Sequence, residues 1–132
     1  MPTLTEFCKI NVTLKFTPIG RTGIGTRVDI PFDGVATSSH WEGERPVTGN
    51  DYVTIGADGI QHLDIRARIG TGRDVVSYRA LGRGTDATGP QEVLVFETAN
   101  ESMSFLNSAL GVALGDLEGD QLSLTVSLIA AG

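Results

Sequence analysis

Both ends of this chain alternate strictly between apolar and polar residues, and that pattern limits the fold more than any other feature. In "KINVTLKF", Ile10, Val12, Leu14 and Phe16 share one side, while Lys9, Asn11, Thr13 and Lys15 share the other. "LSLTVSLI" sets Leu122, Leu124, Val126 and Leu128 opposite Ser123, Thr125 and Ser127. Successive side chains of an extended backbone point to opposite faces, so each segment is a strand with one buried side. Shorter candidates lie at 26–33, 37–44, 51–56, 60–69, 74–82 and 91–97, bounded by turn chemistry such as "FDG", "TGND", "GTGRD" and "GRGTDATGPQ". "ADG" at 57–59 joins two strand-like runs as a tight hairpin. Glycine, at 17 of 132 residues, runs well above the usual share of about 7%, as a turn-rich chain requires. The fold class expected is all-β: a closed antiparallel barrel of about eight strands, formed by residues 1–132 as one domain.

One stretch breaks the alternation. In "TANESMSFLNSALGVALG", Met103, Leu106 and Leu110 recur at helical spacing, and Phe105, Ala109 and Val112 widen the apolar face. Thr98 and Glu101 have the spacing of a capping box, with Asn100 as a competing cap. Gly111 or Gly115 would end the helix. The expectation is one short α-helix before the last strand, plugging or flanking one end of the barrel.

Ten basic residues face sixteen acidic ones, a net charge of −6 without any basic run, so nucleic acid is not an expected partner. The lone Cys8 allows no intrachain disulfide and suits a reducing compartment. The N-terminus lacks the basic and apolar regions of a signal peptide, and no apolar run approaches the ~20 residues of a spanning helix. A soluble cytoplasmic protein without a membrane partner is expected.

"PIGRTGIGTRVDIPF", residues 18–32, resembles a phosphate loop at first sight. Its spacing is G-x-x-G-x-G, whereas a dinucleotide loop needs G-x-G-x-x-G opening a helix, and a P-loop needs a following lysine. The next residues, "TRVDIPF", alternate like a strand and include Pro31, which does not sit inside a helix. Gly20, Gly23 and Gly25 are therefore expected to supply positive-φ positions in a strand-to-strand connection.

No cofactor motif is present. His40 and His62 are the only histidines and are far apart, so no ligand spacing marks a metal site. The most unusual row is in "GIQHLDIRARI", with His62, Asp64, Arg66 and Arg68 on one face and Leu63, Ile65, Ala67 and Ile69 on the other. The polar row either covers the outside of an apolar core or lines a lumen, since period two gives the faces and not their direction. In the second orientation Asp64, or His62, is the general base, and Arg27 and Arg66 clamp a substrate carbonyl or carboxylate. Tyr78 then donates a hydrogen bond. Trp41 and Asn107 are further candidates for contact with a substrate. Asp51, after "TGN", fits plain turn chemistry.

Taken in order, "IGRTGIGTRVDIPFDG", "WEGERPVTGNDYVTIGADGIQHLDIRARIGTG", "VSYRALGRG", "VFET" and "SFLN" resemble domain-of-unknown-function family 3237 over roughly residues 7–129. The resemblance implies a calycin-type barrel, with recurring polar positions at Arg27, Asp51, Asp64, Arg66, Glu97, Thr98 and Asn107. Two departures bear on the mouth of a cavity: a short loop before "EVLVFET", and "ESMSFLN" where an aromatic pair often precedes Leu-Asn. The function expected is handling of a small, largely apolar molecule, by a cofactor-free isomerase, cyclase or lyase. The alternatives are a non-catalytic binding barrel and a structural oligomer with a filled core. A homodimer or higher homo-oligomer is the expected assembly.

Overall fold

The computed structural model describes residues 1–130. Nine strands succeed one another: β1 (Thr3–Leu14), β2 (Thr17–Thr22), β3 (Gly25–Thr37), β4 (Arg45–Ile55), β5 (Gln61–Ile69), β6 (Val76–Gly84), β7 (Gln91–Thr98), β8 (Leu110–Glu118) and β9 (Gln121–Ala130). They form one antiparallel sheet in the order β1-β9-β8-β7-β6-β5-β4-β3-β2. A further pairing of β1 with β3 closes eight of them into a barrel. The ninth, β2, extends from the rim, because β3 changes partner along its length. Its first residues, Gly25–Asp29, pair with β2, and Phe32–Thr37 pair with β1.

The alternation read at the chain ends points inward as expected. Ile10, Val12, Leu124 and Val126 are buried, together with Leu63, Ile65, Ala67 and Ile69 from β5 and Val76, Tyr78 and Ala80 from β6. Burying these apolar faces on one another supplies the main stabilisation of the sheet. A register shift between Glu6 and Cys8 lets two consecutive residues of β1, Phe7 and Cys8, both turn inward.

The two ends of the barrel differ. At one end Phe7 packs edge-on against Trp41, Phe96 and Phe105 at centroid separations of 5.8, 5.9 and 6.3 Å. Met103 and Leu106 add buried apolar volume from the connection between β7 and β8. At the other end Leu14, Phe16, Ile55, Gln61, Pro90 and Leu117 ring an opening into the lumen.

The helix differs from expectation in kind and extent. Glu101–Ser108 is a 3₁₀ helix with a kink at Met103, capped by Asn100, whose side chain accepts the Ser102 N–H. The residues after it form strand β8, so two strands come after the helix. On β8 the lumenal positions are Gly111, Ala113 and Gly115, small residues that leave no apolar alternation to read. They are small for a steric reason: a Cβ at Gly111 would press on the Phe96 ring at 3.0 Å, and one at Gly115 on Leu124 at 2.7 Å. Likewise 37–44 is not a strand but a connection whose Trp41 packs on the core and donates to the Ala36 carbonyl.

The glycine loop is a β2–β3 hairpin. Gly20 and Gly25 adopt φ of 110° and 139°, as a turn reading requires, but Gly23 has no positive φ. At 57–59 the hairpin forms as read, with Gly59 at φ 80° and the Asp58 side chain accepting the Ile60 N–H.

Asn107 fastens the helix to β7. Its Oδ1 accepts the Thr98 N–H at 2.8 Å and its Nδ2 donates to the Thr98 carbonyl at 3.0 Å. Asn107→Ala is expected to cost about 1–2 kcal/mol of stability in chemical denaturation, the worth of two solvent-accessible hydrogen bonds.

Candidate functional site: a buried acid pair in the barrel lumen

The open end leads into a lumenal cavity of about 180 Å³. Its walls come from alternate positions on the strands: Val12 and Leu14 of β1, Val28, Ile30 and Phe32 of β3, Leu63 and Ile65 of β5, and Leu122 and Leu124 of β9. Four polar side chains interrupt this apolar wall, namely Asp51, Gln61, Tyr78 and Glu92. No Lys, Arg or His is among the lining residues.

Asp51 reaches the lumen because it shares the inward phase of β4 with Val47 and Val53. Its Oδ1 accepts the backbone N–H of Asp64 at 3.1 Å. The β4–β5 register runs through Asp51↔Ile65 and resumes at Thr54↔His62, so the carboxylate serves the intervening gap as a ladder acceptor. That bond fixes the side chain against the wall. Burial pushes the Asp51 carboxyl up to about 7, the Asp64 N–H opposes the rise, and the Asp64 charge adds to it.

Glu92 is only 4% exposed, and neither of its carboxyl oxygens has a hydrogen-bond partner within the protein. It sits in the inward phase of β7 with Leu94 and Phe96. Burial pushes it up to about 8, and the charge of Asp51 adds to the rise. Tyr78, 2% exposed, is held in its protonated form by burial and then by the negative charges of Glu92, Cys8 and Asp51. At neutral pH the lumen therefore offers a partly ionised Asp51, a mostly protonated Glu92 and a phenol donor.

A carboxyl whose folded-state pKa lies above its ordinary value keeps a proton that the unfolded chain has lost. Its stabilising contribution is complete below the ordinary carboxylate range and is lost as pH rises through about 8 for Glu92. The stability of Glu92→Gln, neutral at every pH, relative to the parent is therefore expected to rise by on the order of 3 kcal/mol between about pH 6 and about pH 9. Thermal denaturation at the two pH values reads the effect.

The structure decides the direction of the polar row on β5. Leu63, Ile65, Ala67 and Ile69 face the lumen, while His62, Asp64, Arg66 and Arg68 are exposed on the outer surface. Asp64 and His62 thus have no access to the lumen, and only the backbone N–H of Asp64 touches the site. Arg27 also lies outside: its neighbours Val28 and Ile30 line the cavity, and its guanidinium pairs with Asp29 at 3.0 Å and donates to the Val53 carbonyl. Arg27 and Arg66 therefore do not clamp a lumenal ligand. Trp41 and Asn107 belong to the closed end, where they hold the structure, with the Arg45 guanidinium 4.7 Å above the Trp41 ring. Of the residues expected to act on or hold a substrate, Tyr78 alone lines the cavity; Asp51, read as turn chemistry and marked by the family resemblance, lies instead within β4 and lines it too.

Neither Glu92 nor Gln61 stands out in the sequence. Glu92 lies in "QEVLVFET", where both phases of the strand are apolar, so alternation does not reveal which one is buried. A single carboxylate in phase with Leu94 and Phe96 was the available signal.

A closed barrel with an acidic, otherwise apolar lumen is the class of protein that these features define. No family model matches the chain, and no curated protein matches it. Solved structures do share its fold. A conserved protein of unknown function from Rhodopseudomonas palustris aligns with a TM-score of 0.85 at 18% identity, covering 98% of this chain and 99% of that one. A beta-barrel like protein from Acinetobacter baumannii aligns with a TM-score of 0.86 at 18% identity, covering 98% and 97%. A protein described as an enzyme from Penicillium herquei aligns with a TM-score of 0.71 at 18% identity, covering 98% and 95%. At these identities the likeness establishes the barrel and carries no chemistry. Among the described residues no helix is long and apolar enough to cross a membrane.

Proposed function

We propose that the barrel carries out acid–base catalysis on a small, uncharged, largely apolar carbonyl or aromatic compound, as an isomerase, cyclase or lyase. The observation that supports this reading is the pair Asp51 and Glu92, raised to about 7 and about 8, facing one apolar cavity beside Tyr78. A general base works best with a pKa near the operating pH, and a general acid must still hold its proton there. Asp51, anchored by the Asp64 N–H, takes a proton from an activated C–H or O–H bond. Tyr78 donates to the oxygen on which charge develops. Glu92 delivers a proton at a second position, and the net charge of the pair is unchanged when the two protons have moved.

A cavity of about 180 Å³, open at the rim, suits a ligand somewhat larger than benzene, which one of about 150 Å³ accommodates. The neighbour described as an enzyme is consistent with catalysis on this fold, by fold-level analogy alone. Kinship with domain-of-unknown-function family 3237, proposed on the order and spacing of the motifs, adds nothing to the chemistry.

The test is ring opening of a nitrobenzisoxazole, an uncharged compound that reports proton abstraction from carbon by releasing a coloured phenolate. The protein is expected to accelerate it with a rate that rises through an ionisation near pH 7. A rate no faster than that of acetate at equal concentration would sink the reading.

A further inference from the structure

The lumen has an excess of acceptors and no cation to meet them. Glu92 presents two buried, unpartnered oxygens. The other titratable groups around it are Asp51 from β4 and Tyr78 from β6, with Cys8 of β1 buried beyond them. The lining residues from β3, β5, β8 and β9 are apolar apart from Gln61. Every Lys and Arg therefore lies off the cavity wall, and among the described residues its only side-chain donors, besides the protons the two acids themselves hold, are the Tyr78 hydroxyl and the Gln61 amide. Neither carboxyl has a cationic partner: Asp51 has only the Asp64 N–H and Glu92 has none, so each ionises in the lumen at a cost that a bound cation would offset.

From this we infer that the lumen binds a small organic ammonium ion, with its N–H groups on the Glu92 and Asp51 carboxylates and its apolar body against Val28, Ile30 and Leu124. An alkylammonium brings up to three donors on a compact charge, which matches two carboxylates better than a neutral hydroxyl does. The same arrangement excludes anions, since a carboxylate ligand would meet two acids and no base. This inference goes beyond the proposed reaction, because it concerns binding and does not depend on turnover.

The pH dependence has a definite sign. Below about pH 6 both acids hold protons and offer an ammonium little. Affinity for the cation rises as Asp51 and then Glu92 ionise, through about 7 and about 8. Binding in that range releases protons.

Calorimetric titration with benzylamine, benzyl alcohol and benzoate separates the cases, because the three are close in size and differ in charge. At about pH 8.5 benzylamine is expected to bind at least roughly tenfold more tightly than benzyl alcohol, and benzoate more weakly than either. At about pH 6 the preference for the amine should shrink towards one. Glu92→Gln, which should fold at least as well as the parent, is expected to lose most of the preference, and Asp51→Asn part of it. Equal affinities for amine and alcohol at the higher pH overturn the inference, as does absence of amine binding. A preference that survives in the Glu92→Gln/Asp51→Asn double variant also overturns it. None of these results bears on the ring-opening assay, which tests the acid–base reading by itself.

Discussion

Gly34→Ala is expected to destabilise the protein by more than about 3 kcal/mol, the largest stability loss anticipated for so small a change. Gly34 pairs with Val12 at the seam where β1 meets β3 and the barrel closes. A Cβ at this position would run into the backbone carbonyl of Asn11 and approach the Cα of Val12 to 2.7 Å. Backbone atoms in a paired ladder cannot step aside as the end of a flexible side chain can. Either the β1–β3 hydrogen bonds lengthen or β3 bends away, and both loosen the closure on which the lumen depends. Urea denaturation, with the midpoint compared between variant and parent, measures the loss. Gly23→Ala in the β2–β3 hairpin is the control. Its φ is not positive and a Cβ there meets nothing within 4 Å, so a change within about 0.5 kcal/mol is expected. Equal losses at the two glycines would show that the seam is not specially tight.

Asp51→Asn is expected to lower nitrobenzisoxazole turnover by roughly 10²–10³-fold, the usual worth of a positioned general base. The amide is nearly isosteric and its oxygen can still accept the Asp64 N–H, so the barrel should fold with similar stability. Removal of an acid raised to about 7 should even improve stability at alkaline pH, because the native state no longer has to give up that proton. The rate–pH profile supplies a second check: the inflection near 7 should vanish with the carboxylate. Loss of turnover with unchanged folding assigns proton abstraction to Asp51. A variant as fast as the parent would remove Asp51 from the mechanism and leave Glu92 as the remaining lumenal base.

The site also accounts for the uncommon feature of Asp51, a carboxylate that forms part of the sheet. Where β4 and β5 would exchange ladder hydrogen bonds opposite Tyr52 and Val53, the Asp51 side chain takes the Asp64 N–H instead. A carboxylate fixed in this way loses little conformational freedom when it meets a substrate, which is the condition for an efficient base. Glu92 has no such hydrogen bond within the protein. The two acids are therefore differently prepared: one is anchored and titrates lower, the other has no hydrogen-bond partner and titrates higher.

Much of the barrel was legible in the sequence. Ile10, Val12, Leu124 and Val126 revealed the buried faces of the first and last strands, because a two-residue period is a local property that needs no knowledge of the partner strand. The Asp-Gly turn at 58–59 and the wrong order of glycines in "GRTGIG" were equally local, since turn and phosphate-loop geometries depend on neighbouring residues. Strand β8 was hidden because its lumenal positions are Gly111, Ala113 and Gly115, sizes imposed by Phe96 and Leu124 from distant parts of the chain. The direction of the faces was the other thing withheld. On β5 the sequence offers an apolar row and a charged row, and only closure of the sheet determines that His62, Asp64, Arg66 and Arg68 meet solvent. Asp51, Tyr78 and Glu92 lie on three strands and converge only because the barrel curves them towards one axis. Alternation is written residue by residue, whereas inside, outside and the meeting of two acids are properties of the closed sheet.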